Sequence, residues 1–139
     1  MRAALLCLAL AGTASAAEPR RDLLGEWWTP GFNARVRIEA CGGDAMCGRI
    51  VWLWDDKPQG IADKTSLVGK LVIDQMKATE AGLWTGGRLY NAEDGRDYKG
   101  SLQLRLESTL VVSGCVLFVC QTQVWRRAEP ARCPPVAPP

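Results

Sequence analysis

No histidine occurs anywhere in the 139 residues. That excludes Ser-His-Asp and Cys-His nucleophile systems, and it removes the commonest general base and the commonest metal ligand. No two cysteines stand in a Cys-x-x-Cys spacing, so a thioredoxin-type redox pair and paired-thiolate zinc sites are both disfavoured. A charge excess of one sign is missing as well. Seventeen basic and fifteen acidic residues leave a formal net charge of +2, which gives no electrostatic pull toward nucleic acid or anionic lipid. No apolar run is long enough to cross a bilayer as a helix. No apolar stripe of helical period extends beyond ten residues, so a helical domain is not encoded either.

What is present begins with a leader. Met1-Arg2 is followed by an apolar stretch from Ala3 to Gly12 and then by Thr13-Ala14-Ser15-Ala16-Ala17. One positive charge, a short apolar core and a small-residue cleavage site make residues 1–17 a secretory signal peptide, cut after Ala16 or Ala17. The expected product is periplasmic or secreted, and its cysteines meet an oxidising compartment. Those cysteines are Cys41, Cys47, Cys115, Cys120 and Cys133. Several pairings are open to them. Spacing favours Cys41 with Cys47 around Gly42-Gly43-Asp44, and Cys115 with Cys120 around Val116-Leu117-Phe118-Val119. Residues opposed at the mouth of a hairpin lie within disulfide reach. Loops this short contribute only roughly 2–2.5 kcal/mol each, so they staple the fold and do not create it. Cys133 is left free or linking two chains.

After the leader the pattern has period two. Arg35, Arg37 and Glu39 alternate with Val36 and Ile38. Residues 47–54 form the most apolar strand, with Ile50, Trp52 and Trp54 on one face and Arg49 on the other. Residues 55–69 are polar and carry Pro58, Gly60 and Gly69; this longest connection has room for one short helix. Further strand-like runs are Lys70 to Thr79, Leu83 to Asn91, Asp97 to Leu106, Leu110 to Cys115 and Val119 to Arg127. Glu80-Ala81-Gly82 and Glu93-Asp94-Gly95 read as hairpin turns. In the Asp97 run, Leu102, Leu104 and Leu106 share a face. Six tryptophans in so short a chain suit the interior of a small β structure. Residues 18–127 are therefore expected to form one all-β domain. Short sequential turns favour a small up-and-down antiparallel barrel over a sandwich, whose crossings are longer. Residues 128–139 are rich in Ala and Pro and are expected to be a disordered tail.

The first strand opens Leu23-Leu24-Gly25-Glu26-Trp27-Trp28, and the last ends Val124-Trp125-Arg126-Arg127. A lipocalin-type barrel closes its base with a Gly-x-Trp at the start and an arginine at the end. The indole plugs the floor and the guanidinium stacks on it. Gly25 permits the close entry of the chain.

Gly25-Glu26-Trp27, Cys41-Gly42, Cys47-Gly48-Arg49-Ile50-Val51-Trp52-Leu53, Leu83-Trp84-Thr85-Gly86-Gly87-Arg88-Leu89-Tyr90, Glu93-Asp94-Gly95 and Trp125-Arg126-Arg127 occur in this order. Together they resemble the bacterial family known as domain of unknown function 2147, over about residues 24–127. The resemblance implies an exported lipocalin-like barrel with no established biochemical activity. The family's Trp-x-Arg ending falls on Trp125 and Arg127, which implies Gly25, Trp27, Trp125 and Arg127 as the barrel floor. The chain departs from the family pattern after Asp56, where its loop is shorter.

The acidic clusters do not make an active site. Neighbouring strand residues point to opposite faces, so neither Asp55-Asp56 nor Glu93-Asp94 presents two carboxylates together, as glycoside hydrolysis requires. Glu93 to Asp97 offers too few oxygens for calcium and carries Arg96. No metal, no cofactor and no nucleic-acid partner is expected. The candidate ligand-lining residues are Val36, Ile38, Ile50, Trp52, Trp54, Leu102 and Leu104; Trp52 and Trp54 either line a cavity or fill the core. The expected function is a non-catalytic envelope protein holding a small apolar or amphipathic molecule. The alternative is a packed barrel acting as a periplasmic interaction or inhibitor module. An enzyme working through turn carboxylates comes third.

Overall fold

A computed structural model describes residues 23–56 and 58–128. The expected signal peptide, residues 129–139 of the tail and Cys133 lie outside the described residues. Eight strands follow one another: β1 (Gly25–Trp28), β2 (Ala34–Ala40), β3 (Ala45–Leu53), β4 (Leu71–Glu80), β5 (Leu83–Asn91), β6 (Arg96–Arg105), β7 (Thr109–Val116) and β8 (Val119–Arg127). Each pairs antiparallel with the next, and β8 returns to β1 to close a barrel. Closure pairs Trp27 with Arg127 and Trp28 with Arg126. This closure joins the two outer strands of the sheet, although β1 meets only the last two residues of β8.

Alternation decides what goes inside. Ala34, Val36 and Ile38 of β2 are buried, while Arg35 is half-buried and Arg37 and Glu39 lie outside. Outside, Arg37 and Arg35 reach Glu26 at 2.7 and 3.4 Å. One core holds Leu23, Trp27, Ile38, Met46, Ile73, Met76, Trp84, Leu102 and Leu110. At ~25 cal/mol per Å² of apolar area, burying these large side chains is the main source of stability.

Connections alternate between the two ends. The turns between β2 and β3, β4 and β5, and β6 and β7 lie at the end where β1 starts and β8 finishes. The loops from β1 to β2, β3 to β4, β5 to β6, and β7 to β8 lie at the other end. The first of these holds a 3₁₀ turn at Pro30–Phe32.

Three local expectations need correction. Among the described residues no helix falls in 55–69; side chains hold that connection instead. Asp56 accepts hydrogen bonds from the Leu67 and Val68 amides at 3.1 and 2.9 Å and from Ser66 Oγ. Leu106 does not continue the face of Leu102 and Leu104. It sits in the turn after β6 with φ of 54°, 85 % exposed. Ala128 belongs to the barrel seam and not to a tail, because its amide donates to Glu26 O at 2.9 Å and the residue is buried.

Candidate functional site

The barrel is packed at one end and open at the other. At the packed end Trp27 is fully buried, and its Nε1 donates to Leu23 O at 3.0 Å. The guanidinium carbon of Arg127 lies 4.3 Å from the Trp27 ring centroid. The same side chain donates to Leu24 O at 3.0 Å and to Glu107 O at 2.7 Å. One arginine thus ties the chain start and the β6–β7 turn to the indole. Gly25 has φ of 119°, and a Cβ there would stand 3.5 Å from Arg127 Nη1. The backbone angle, more than the space, calls for glycine.

At the other end an open cavity of about 200 Å³ runs into the barrel. Its walls are Val36, Ile50, Val72, Leu89, Val112 and Trp125, and its rim carries Thr29, Asn91, Gln121 and Gln123. Trp125 presents its ring to the cavity and donates Nε1–H to Gln123 Oε1 at 2.9 Å. Apolar walls with a few polar groups at the mouth are the usual make-up of a small-molecule site.

The structure divides the sequence candidates. It brings Val36 and Ile50 into the cavity wall. Ile38 and Leu102 are buried in the packed half, and Leu104 is half-buried against the same core. Trp52 does not share the inner face with Ile50. Val36 pairs with Ile50 but Arg35 pairs with Trp52, so one extra residue on β3 forms a bulge. A bulge shifts the alternation by one. Trp52 therefore packs outside, edge-on to Trp28 at 5.6 Å, with Arg35 also over Trp28 at 5.4 Å. Trp54 lies beyond the strand, 82 % exposed. Trp125 lines the cavity, two residues from Arg127 along β8, and does not join Trp27 at the packed end. Leu89, Val112, Gln121 and Gln123 were not among the sequence candidates. The alternation of Gln121, Gln123 and Trp125 was the available signal, since inward glutamines mark a wet barrel mouth.

The long β3–β4 connection is tied to the β5–β6 loop at this end of the barrel. Ala62 and Asp63 donate their amides to Glu93 O and Ala92 O at 2.9 and 3.1 Å, and Leu67 is buried. Asp63 is the anchor. Its carboxylate, 5 % exposed, accepts from Lys70 at 2.6 Å and from Tyr90 Oη at 2.7 Å. The Lys70 ammonium, then the Thr65 and Tyr90 hydroxyls, hold the Asp63 carboxyl well below the usual carboxylate range. The Asp63 carboxylate in turn pushes the Tyr90 phenol up to about 12.

A pH window follows. The depressed Asp63 pKa stabilises the loop above its unfolded value of about 3.9, and this is lost as pH falls through the folded value. The raised Tyr90 value stabilises it below an unfolded value of about 10, and this is lost as pH rises toward about 12. Asp63→Asn should speed amide exchange at Ala62 roughly tenfold at neutral pH while the barrel strands keep their protection. Unchanged exchange at Ala62 would show that the loop is held without this carboxylate.

Asp94 acts as a turn cap. It accepts from the Arg96 amide at 3.0 Å and from the Tyr98 hydroxyl. That phenol hydrogen bond holds the Asp94 pKa below its ordinary value and pushes that of Tyr98 up. Among the described residues no group of three or more Cys, Asp or Glu is placed to hold a metal ion. Two intrachain disulfides join Cys41 to Cys47 and Cys115 to Cys120, as suits a protein of an oxidising compartment.

A family model described as an uncharacterised protein conserved in bacteria, DUF2147, matches residues 25–127. No curated protein matches the chain. A solved structure, protein HP1028 of Helicobacter pylori, described as belonging to the lipocalin family, superposes with a TM-score of 0.65. The alignment covers 77 % of this chain and 83 % of that one at 16 % identity. At such identity the likeness concerns the fold.

Proposed function

The chain belongs to the DUF2147 family of bacterial proteins, and on that premise we propose that it is an exported, non-catalytic binding protein. In this reading residues 1–17 are its signal peptide, and a small apolar or amphipathic molecule occupies the barrel mouth. The cavity carries the proposal. Val36, Ile50, Leu89, Val112 and Trp125 would cover an apolar body, and Asn91, Gln121 and Gln123 would meet a polar, uncharged or weakly charged head. A fully packed barrel, as an interaction module would need, fits only the end around Trp27. Catalysis through carboxylates has little support, because Asp56 and Asp94 are engaged in capping.

The test is titration with a fluorescent fatty-acid analogue. Wild type should bind one equivalent. Val112→Trp, which fills the cavity from β7, should weaken binding by at least about tenfold. Its melting temperature should fall little, because the added ring enters space that is already open. A wild type that binds no such probe, or a variant that binds as well as wild type, would remove the cavity from the argument.

A further inference from the structure

Exposed apolar side chains gather at the cavity mouth. Phe118 is 100 % exposed, Leu117 90 %, Trp54 82 % and Phe32 60 %. Val116, Val119 and Val68 are exposed at the same end, whereas among the described residues only Leu106 lies at the packed end and Val124 on the barrel wall. These residues come from three separate loops that surround one opening.

The β7–β8 hairpin is the most telling of the three. Val116 pairs with Val119, so Leu117 and Phe118 form a two-residue turn. A two-residue turn whose first position enters the left-handed region favours glycine there. Leu117 does so with φ of 53°, and the next position holds a bare phenyl ring. Neither residue serves the turn. The Cys115–Cys120 bridge lies just below and holds the two strands together under the tip.

We propose that this end of the barrel docks on a lipid bilayer surface, with Leu117 and Phe118 inserted and Trp54 and Phe32 lying at the interface. The shape favours a bilayer over a folded protein. Separate convex knobs around an opening need a partner that deforms around them, which acyl chains and headgroups do. Tryptophan, with an apolar body and one N–H, suits the headgroup level. A near-neutral net charge of +2 makes the attraction apolar, so binding should depend little on anionic lipid or salt. Docking in this orientation would also bring the cavity to the membrane. An acyl chain would then enter between Val112 and Ile50 without crossing water, a clause that rests on the binding reading above.

The experiment is flotation of the full mature chain with vesicles of phosphatidylcholine alone and with added phosphatidylglycerol. It uses wild type and the Leu117→Gly/Phe118→Asn double variant, a pair chosen because it supplies the glycine that the positive φ of Leu117 favours. Wild type should float with both vesicle types, and the double variant should lose at least about tenfold in affinity. Titration with the soluble fatty-acid analogue should be the same for both proteins. If wild type stays in solution, or the double variant floats equally well, docking is overturned. A wild-type dimer that the double variant converts to monomer, without vesicle binding, would assign the tip to a second copy and overturn it too. Flotation of wild type without probe binding would support docking while removing the cavity reading.

Discussion

Trp27→Ala is expected to lose about 3–5 kcal/mol of folding stability, the range for truncating a buried aromatic. That is a large part of the ~5–15 kcal/mol available to a small domain. The reasoning starts from closure. β1 is four residues long, and its pairing with β8 rests on two residue pairs. Trp27 is the residue of β1 that points inward at this seam, fully buried. Its loss removes a core side chain, the anchor for Leu23 O and the surface on which Arg127 stacks. Arg127→Ala should cost less, about 1–2 kcal/mol, from the lost stacking and hydrogen bonds. The two effects should not add, because both substitutions break the same contact. Denaturant unfolding of both single variants and the double variant measures this. A Trp27→Ala protein that unfolds like wild type would show that the barrel end is closed by other contacts.

Much of the barrel was legible because period two survives along β2, β6, β7 and β8, while register shifts interrupt it in β3, β4 and β5. Val36 and Ile38 against Arg35 and Arg37 give their faces without any tertiary knowledge. The two local cysteine pairs were legible from hairpin spacing, and Gly25, Trp27 and Arg127 from their places at the ends of the first and last strands. The site was legible only in part, for three physical reasons. A bulge opposite Arg35 reverses the facing of Trp52, and nothing in the apolar run from Ile50 to Trp54 announces it. The cavity lining comes from seven different strands, so Val72, Leu89 and Val112 look like ordinary core residues until closure places them around one space. The β3–β4 connection is held by Asp56 and Asp63 hydrogen bonds to residues 7 to 27 positions away, and propensity does not register such pairs. Its polarity and its Pro and Gly content suggested a loop with room for a helix, and capping carboxylates won instead.

Trp84 supplies the second large effect and separates two contributions that usually move together. It is fully buried on β5, paired with Leu102, and belongs to the core that also holds Trp27. Trp84→Ala should therefore cost about 3–5 kcal/mol through lost apolar burial and the void left behind. Its indole Nε1–H, however, has no hydrogen-bond partner among the described residues. A buried donor left unpaired costs about 1–3 kcal/mol relative to one that is satisfied. Trp84→Phe keeps much of the ring's apolar volume and removes that donor. The relieved desolvation should offset most of the lost packing, leaving a net change below about 1.5 kcal/mol. Both variants should still be compared by denaturant unfolding and by probe titration. The phenylalanine variant should bind the probe as wild type does, because Trp84 does not line the cavity. If Trp84→Phe destabilises as much as Trp84→Ala, the indole N–H is satisfied in solution, for instance by an internal water. The packed end of the barrel would then contain a polar contact that its apolar lining does not suggest.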